Sequence, residues 1–246
     1  IMGTGWPATR VFPILVKWLD CRERLSLQVH PPASVAAGLG GEPKTENWYV
    51  AHADPGAAVL AGLKPGVGAE EFERALATAT ADQCVERMPT RAGDSLLVHS
   101  GVMHAIDGGN LILEIQQNSD TTYRVYDWGR VGLDGQPRAL HVRESMASLR
   151  ANTAPAPKLV RADGAVTVLA DCAEFRITQH TLRAGETLAF PAGGEARIVS
   201  VVTGALVTAG GEIPRGGNAL VPFAADFAAT APAGGIVLVT DRFSRR

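Results

Sequence analysis

"LSLQVHPP", Leu25 to Pro32, sets apolar and polar side chains in strict alternation before two prolines. Leu25, Leu27 and Val29 alternate with Ser26, Gln28 and His30, the period-two signature of a strand with two unlike faces. A solvent face ordinarily carries Lys, Glu and Thr, whereas this one carries Gln-x-His and is closed by two prolines. Residues two apart leave the same face of a strand, so Gln28 and His30 offer two donors on a rigid support. Two such donors are half of a metal site, since Zn²⁺ takes imidazole nitrogen and amide or carboxylate oxygen at ~2.0–2.2 Å, with four ligands or three plus water. Taken alone, the segment is better explained by a strand-end histidine making one structural hydrogen bond.

Outward from that stretch, short apolar or alternating runs separated by Gly, Pro and Asp dominate the chain. "FPILVKWLD", "NWYVAH", "AAVLAGL", "DSLLVHS" and "NLILEIQQ" read as strands in the first half. "AVTVLA", "EFRITQHTL", "ETLAF", "ARIVSVV", "GALVTA", "NALVPF" and "GIVLVTD" do so in the second. One helix is expected over Glu70 to Ala79, with an acidic first turn and an apolar face of Phe72, Ala75, Leu76 and Ala79. A weaker one is expected over Glu144 to Arg150. Ala151 to Lys158, "ANTAPAPK", reads as a linker. Many short strands with Gly and Pro turns point to a mainly all-β chain of antiparallel sandwiches or barrels, with one or two short helices. The expected organisation is a first module over residues 1–150 that carries the helix, and a second β module over 158–246. No repeat of solenoid period is visible.

Composition excludes several classes. The chain has 246 residues, 46% hydrophobic and 20% charged, enough for a sizeable core. Its net charge is −2 with Lys and Arg dispersed, so a nucleic-acid partner and an anionic membrane surface are not expected. Cys21, Cys84 and Cys172 are odd in number and far apart, which reads as free thiols in a reducing compartment. "VFPILVKWL" is too short to span a bilayer and contains Lys17, so a cytoplasmic location is expected.

Other polar residues stand out from an ordinary surface. "PKTENWYV" puts Lys44 and Glu46 two apart, on one face of a short strand ahead of Trp48. "HSGVMHAIDGGN" places His104 after a glycine turn, and in "LILEIQQNSD" Glu114 and Gln116 share the face opposite Leu113 and Ile115. A carboxyl group on that face either meets solvent or lines a barrel lumen. In "SDTTYRVYDWGR", Asp120, Arg124 and Arg130 are interleaved with Tyr123, Tyr126 and Trp128. Without a basic stripe for nucleic acid, arginines beside a metal are suited to a carboxylate or phosphate.

Together, "LVKWLD", "LSLQVHP", "KTENWYV" and "GVMHAIDGGNLILEIQQNSDTTYRVYDW" resemble the type I mannose-6-phosphate isomerases, especially their short bacterial branch, from about Phe12 to Glu144. That family belongs to the cupin superfamily, so the resemblance implies jelly-roll β-barrels, a sugar-phosphate substrate and one Zn²⁺ per chain. It implies Gln28, His30, Glu46 and His104 as the zinc ligands. It also matches Arg124 to an active-site arginine, Arg130 to a position near the substrate phosphate, and Ser26 to a pocket position. The implied reaction interconverts mannose 6-phosphate and fructose 6-phosphate through an enediol, which requires a proton carrier between C1 and C2. Lys44, Asp120 and Glu114 are the titratable candidates; Lys44 is assigned the role of base, which it can fill only with a lowered pKa.

The sequence departs from the family pattern in places. Pro32 replaces the acidic residue that usually follows His-Pro, His99 stands where proline is usual, and the segment ahead of "FPILVKWLD" is shortened or missing. His52, His99, His141 and His180 lack partners at ligand spacing and are read as structural. The second module has the rhythm of a cupin without its metal signature. Two alternatives stay open: the same chemistry on another sugar phosphate, and a metal-binding cupin that senses sugars without converting them. Lys44, Asp120 and Arg124 weigh against the second. A metal-dependent oxygenase would be suited to histidines plus a carboxylate rather than to Gln28. The oligomeric state is not legible.

Overall fold

Strands with an apolar face must bury it against another layer, and here they do so by pairing into stacked sheets. The computed structural model describes residues 1–132 and 135–243, and these fall into two compact units, Ile14–Leu159 and Ile1–Pro13 together with Val160 onward. The first unit contains β1 (Ile14–Cys21), β2 (Leu27–Val29), β3 (Glu46–Ala53), β4 (Ala58–Leu63), β5 (Val85–Pro89), β6 (Asp94–Val98), β7 (His104–Ile106), β8 (Asn110–Gln117) and β9 (Tyr123–Tyr126). Its helices are α1 (Ala33–Ala36), α2 (Ala69–Ala77) and α3 (Val142–Arg150). One sheet runs β1-β8-β3-β6 and the other β5-β4-β7-β2-β9, and the chain leaves the unit within β10 (Leu159–Arg161). Both are antiparallel in every pairing from β1 to β9.

Two apolar clusters explain where each face of β2 goes. Trp48, Val50, Leu96, Val98 and Ile112 of one sheet pack with Val59, Ala61 and Ile106 of the other, forming the core between the sheets. On the far side of the second sheet, Leu27, Val29, Leu60, Ala105 and Val125 pack against Phe72 of α2 and Met146 and Leu149 of α3. Phe72 is fully buried there, worth roughly 1.5–3 kcal/mol of apolar burial. Leu27 and Val29 therefore meet the helices, Leu25 packs with the core between the sheets, and Gln28 and His30 point between the sheets. This is the architecture of a mainly all-β, cupin-like fold.

The second unit is built from β11 (Val166–Asp171), β12 (Arg176–Leu182), β13 (Glu186–Phe190), β14 (Arg197–Gly204), β15 (Leu206–Thr208), β16 (Gly211–Ile213), β17 (Asn218–Val221), β18 (Phe227–Ala231) and β19 (Gly235–Asp241). They form two sheets, β11-β12-β19-β14-β17 and β13-β18-β15-β16, around Leu188, Val199, Val201, Leu206, Val237 and Val239.

Several local expectations are corrected. Residues 1–13 group with the second unit rather than with the first, because the Phe223 N–H donates to the Ile1 carbonyl at 2.6 Å and Phe12 packs edge-on against Phe243. Residues 244–246, the expected end of the second module, lie outside the described residues. The strand at Leu25–His30 narrows to Leu27–Val29. The helix expected to Ala79 ends at Ala77: Thr78 caps it, and Ala79 takes a left-handed φ of 55° that no helix continues through. Lys44 precedes its strand rather than sitting in it, since β3 starts at Glu46. Among the described residues no helix is long and apolar enough to cross a membrane.

Candidate metal centre and active site

Strand register lines up the polar residues of the first unit. Ala61, His104, Gln28 and Arg124 are successive cross-strand partners on β4, β7, β2 and β9, so their side chains share one face. From the opposite sheet, Glu46 pairs with Gln116, while Trp48 pairs with Glu114 and Glu114 with Lys17. Both sets face the space between the sheets. Two glycines help to place His30. Gly101, at φ 92°, donates its N–H to the His30 carbonyl at 2.7 Å. Gly41 lies so close to Thr121 that a Cβ there would come within 2.6 Å of its methyl carbon. Thr121 in turn accepts a hydrogen bond from His30 through its carbonyl.

The hydrogen bonds fix what the two histidines can offer. Nδ1 of His30 donates to the Thr121 carbonyl and Nδ1 of His104 to the Val102 carbonyl, each at 2.8 Å. A carbonyl only accepts, so both Nδ1 atoms carry the proton, and in the neutral rings each Nε2 is a lone pair. His30 Nε2 lies 3.2 Å from Glu46 Oε2, and His104 Nε2 lies 3.4 Å from Glu46 Oε1. All three residues are buried, and neither Glu46 oxygen nor His30 Nε2 has an aligned hydrogen-bond partner. Acceptors converging on one point without donors are what a cation requires. Tetrahedral ligands at ~2.0–2.1 Å stand roughly 3.3 Å apart, which is the spacing seen here. Among the described residues, this is the group whose His and carboxylate atoms lie close enough to hold a metal ion, all within 4.8 Å of one another.

Gln28 stands next in line, with Nε2 3.3 Å from His104 Nε2 and Oε1 accepting from the Ser26 hydroxyl at 3.5 Å. Serving as an oxygen ligand requires the amide to turn over, which exchanges the two ends at little cost in space. The four residues fit a divalent ion by donor chemistry as well. Their single negative charge leaves such an ion net positive.

Electrostatics agree with that reading. Burial works against a charged Glu46, but His30, Lys44 and His104 outweigh it and hold its carboxyl well below the usual range. Burial pushes His104 down to about 4, against the pull of Glu46, so its ring is neutral near pH 7. Lys44 Nζ sits 3.0 Å from Glu46 Oε2. Glu114 is buried in the same space and raised, first by burial and then by Glu46, with Lys44 and Lys17 opposing. Lys17 Nζ reaches Gln116 Oε1 at 2.6 Å and Glu114 at 3.4 Å. Trp48 walls this space and meets the His104 ring edge-on at 5.4 Å.

The remaining expected residues lie toward β9. Arg124 Nη1 donates to the Ala139 carbonyl at 3.0 Å, and its Nε is buried without a hydrogen-bond partner. Arg130 pairs with Asp127 and donates to the Arg24 carbonyl. Ser26 is buried beside Gln28. Asp120 is exposed in the loop after β8, one residue before Thr121 and outside the buried cluster. His141 braces the arginine strand, its Nδ1 accepting from the Arg124 N–H at 3.3 Å, while His52 pairs with Asp54 on the surface. Two participants escaped the sequence reading. Lys17 sat inside an apolar run, where its pairing with Glu114 would have exposed it only once register was known. Arg138 lies outside the recognisable blocks and enters through its double hydrogen bond to Asp127.

Comparison with known proteins follows the same direction. No family model matches the chain. A mannose-6-phosphate isomerase of Streptococcus mutans is 46% identical over 157 residues, covering 62% of this chain and 49% of the relative. The mannose-6-phosphate isomerase ManA of Bacillus subtilis is 35% identical over 186 residues, 72% of this chain and 58% of the relative. The matched part thus spans about half the length of these curated relatives. A crystal structure of mannose 6-phosphate isomerase from Bacillus subtilis superposes with a TM-score of 0.78 at 27% identity, covering 94% of this chain and 75% of that one.

Proposed function

We propose that this chain, which resembles the mannose-6-phosphate isomerases in sequence and in fold, is a zinc-dependent aldose–ketose isomerase interconverting mannose 6-phosphate and fructose 6-phosphate. One observation supports the metal-dependent part: the Nε2 lone pairs of His30 and His104 face the buried Glu46 carboxylate at 3.2 and 3.4 Å, and neither carboxylate oxygen nor His30 Nε2 has an aligned hydrogen-bond partner. Gln28, His30, Glu46 and His104 would hold the ion, which when bound acts as a Lewis acid toward the sugar oxygens.

The rest of the reaction falls to the chain's own groups. Moving hydrogen between C1 and C2 passes through an enediol, whose oxygens gain negative charge as the C–H bond breaks. Lys44, buried at the rim of the cluster, supplies a fixed positive charge for those oxygens. In place of Lys44, whose ammonium lies 3.0 Å from Glu46 Oε2, Glu114 is the group best suited to accept and return the proton, because burial raises its carboxyl above the ordinary value. A dication nearby would offset the share of that shift owed to Glu46 and leave the share owed to burial. Arg124, Arg130 and Ser26 would hold the phosphate end. Trp48 limits water between the sheets, which strengthens each of these charges.

The test is isomerisation of mannose 6-phosphate in D₂O, followed by NMR over many turnovers. An enediol path with a protein-borne proton carries solvent deuterium into C2 of the aldose and C1 of the ketose. Conversion with no deuterium at either carbon would mean a direct hydride shift, and absence of conversion would remove the substrate assignment.

A further inference from the structure

Trp48 carries a donor left over beside the metal cluster. Of the four tryptophans it is the buried one, 1% exposed, and its indole N–H has no hydrogen-bond partner among the described residues. Trp6 and Trp128 show the usual arrangement, donating to the carbonyls of Arg10 at 3.4 Å and of Leu25 at 2.8 Å. A buried tryptophan normally finds such an acceptor, because an unpaired N–H forfeits its hydration and regains nothing. Phenylalanine would wall the same space without that loss. The N–H is therefore suited to an acceptor that arrives from outside the chain.

Strand register says where that acceptor comes from. Trp48 follows Glu46 by two residues on β3, so both side chains leave the sheet on one face, into the space between the sheets. β8 sets Glu114 directly opposite Trp48, with Cβ atoms about 4.5–5.5 Å apart, and β6 sets Leu96 on its other side. From the facing sheet the His104 ring meets the indole at 5.4 Å, and Val59, Ala61 and Ile106 complete the surroundings. Those last residues offer no side-chain acceptor, so an incoming one must lie between Glu114 and His104. In the proposed reaction that position belongs to C1 and C2, since Glu114 exchanges their proton and His104 is part of the donor set. The order of strand partners, Ala61, His104, Gln28 and Arg124, then tells the two carbons apart. With the phosphate end toward Arg124, the C1 end of the sugar extends toward Ala61 and Trp48, where the apolar cluster closes the chamber.

Resting on the proposed function, we infer that the Trp48 indole N–H donates to the C1 oxygen of the sugar phosphate, which makes Trp48 a specificity-determining residue for sugars with a free hydroxyl there. The bond strengthens as that oxygen gains negative charge on the way to the enediol, so it serves turnover as well as binding. Two unreactive ligands test it on the zinc-loaded protein: mannitol 6-phosphate, which keeps O1, and its 1-deoxy form, which lacks it. By calorimetry, wild type should prefer the first by roughly ten- to a hundred-fold. Trp48→Phe, which keeps an aromatic wall, should retain its zinc and lose most of that preference. Its kcat/KM for mannose 6-phosphate should fall roughly ten-fold or more. A second readout needs no variant: the slowest-exchanging of the four indole N–H signals in ¹⁵N-labelled wild type belongs to buried Trp48. That signal should move downfield with mannitol 6-phosphate and stay in place with the 1-deoxy form. A preference unchanged in Trp48→Phe, or an unmoved indole signal, overturns the inference. Loss of zinc from Trp48→Phe also overturns it, because Trp48 would then support His104 rather than the sugar. Wild-type binding and turnover with no preference for O1 sinks this inference alone. Wild-type protein that binds neither ligand and converts no mannose 6-phosphate sinks the isomerase reading, and this inference with it.

Discussion

Replacing Glu46 by Gln tests the metal site most sharply, because both carboxylate oxygens face imidazole lone pairs, at 3.2 and 3.4 Å. The amide keeps one oxygen and turns an NH₂ group toward the histidines, where its hydrogens occupy the point at which an ion would sit. It also removes the only negative charge of the donor set. Structural zinc sites bind with about 10–16 kcal/mol, so one of four ligands is worth roughly 2.5–4 kcal/mol, or about a hundred-fold or more in Kd. At zinc set to ~100 times the wild-type Kd, binding stabilises the wild type by about 2.7 kcal/mol, against roughly 0.4 kcal/mol in the variant. For a protein of this size that means a zinc-induced Tm rise of roughly 5–11 °C against about 1–2 °C. The variant's metal-free Tm should also fall, because Lys44 is left a buried charge without a partner, a loss of about 3–5 kcal/mol. The informative quantity is therefore the shift on adding zinc, measured by differential scanning calorimetry with metal content by mass spectrometry. A Glu46→Gln protein that keeps stoichiometric zinc and the wild-type shift would refute the donor set.

Three further expectations follow from other parts of the site. Arg124→Ala should leave zinc content unchanged while kcat/KM falls roughly 10²-fold, and loss of metal instead would show that Arg124 supports the ligands rather than the substrate. Metal-free protein should lose stability as pH falls from about 6.5 to about 4: buried His104 stays neutral in the folded state while the unfolded chain takes up a proton, so ∂ΔG/∂pH is positive across that window. Urea titrations should show a drop of roughly 3 kcal/mol there that His104→Gln lacks, and an equal drop in both proteins would contradict the burial of His104. Burial pushes the Cys21 thiol up to about 11 and Cys172 to about 12, so a thiol reagent at pH 8 should count neither in the native protein and all three cysteines in denaturant. Rapid labelling of Cys172 would show that its strand turn opens.

The fold was legible in the sequence because alternation shows which face a strand residue takes, whereas the donor set was named through the family resemblance, and the structure brings His30, Glu46 and His104 of it together. Alternation in "LSLQVHPP" separated Leu27 and Val29 from Gln28 and His30, and the structure sends those two faces to different layers. Elements whose faces are not distinct were missed. β5 is largely exposed along Glu86 and Arg87 and so lacks an apolar alternation, and β18 is built, after Phe227, of small residues that carry almost no pattern. The end of α2 was overrun because Ala79 fits a helix by propensity, while its left-handed φ is imposed by the turn that follows. Residues that meet only through register or long loops were the least accessible. Lys17 and Glu114 are far apart in sequence and become neighbours by pairing of β1 with β8, and Arg138 reaches Asp127 across a loop. Asp120, equally prominent in sequence, is left exposed at the rim.

We propose that this chain converts a sugar phosphate with the aid of a metal held by Gln28, His30, Glu46 and His104. The most direct measurement is the conversion of mannose 6-phosphate to fructose 6-phosphate by chelator-stripped protein, before and after stoichiometric zinc is restored. Turnover should be negligible in the stripped protein and recover to at least about 1 s⁻¹ with zinc, the low end of ordinary enzyme rates. Full activity in protein shown to contain no metal, or none in protein shown to hold one zinc per chain, would contradict it.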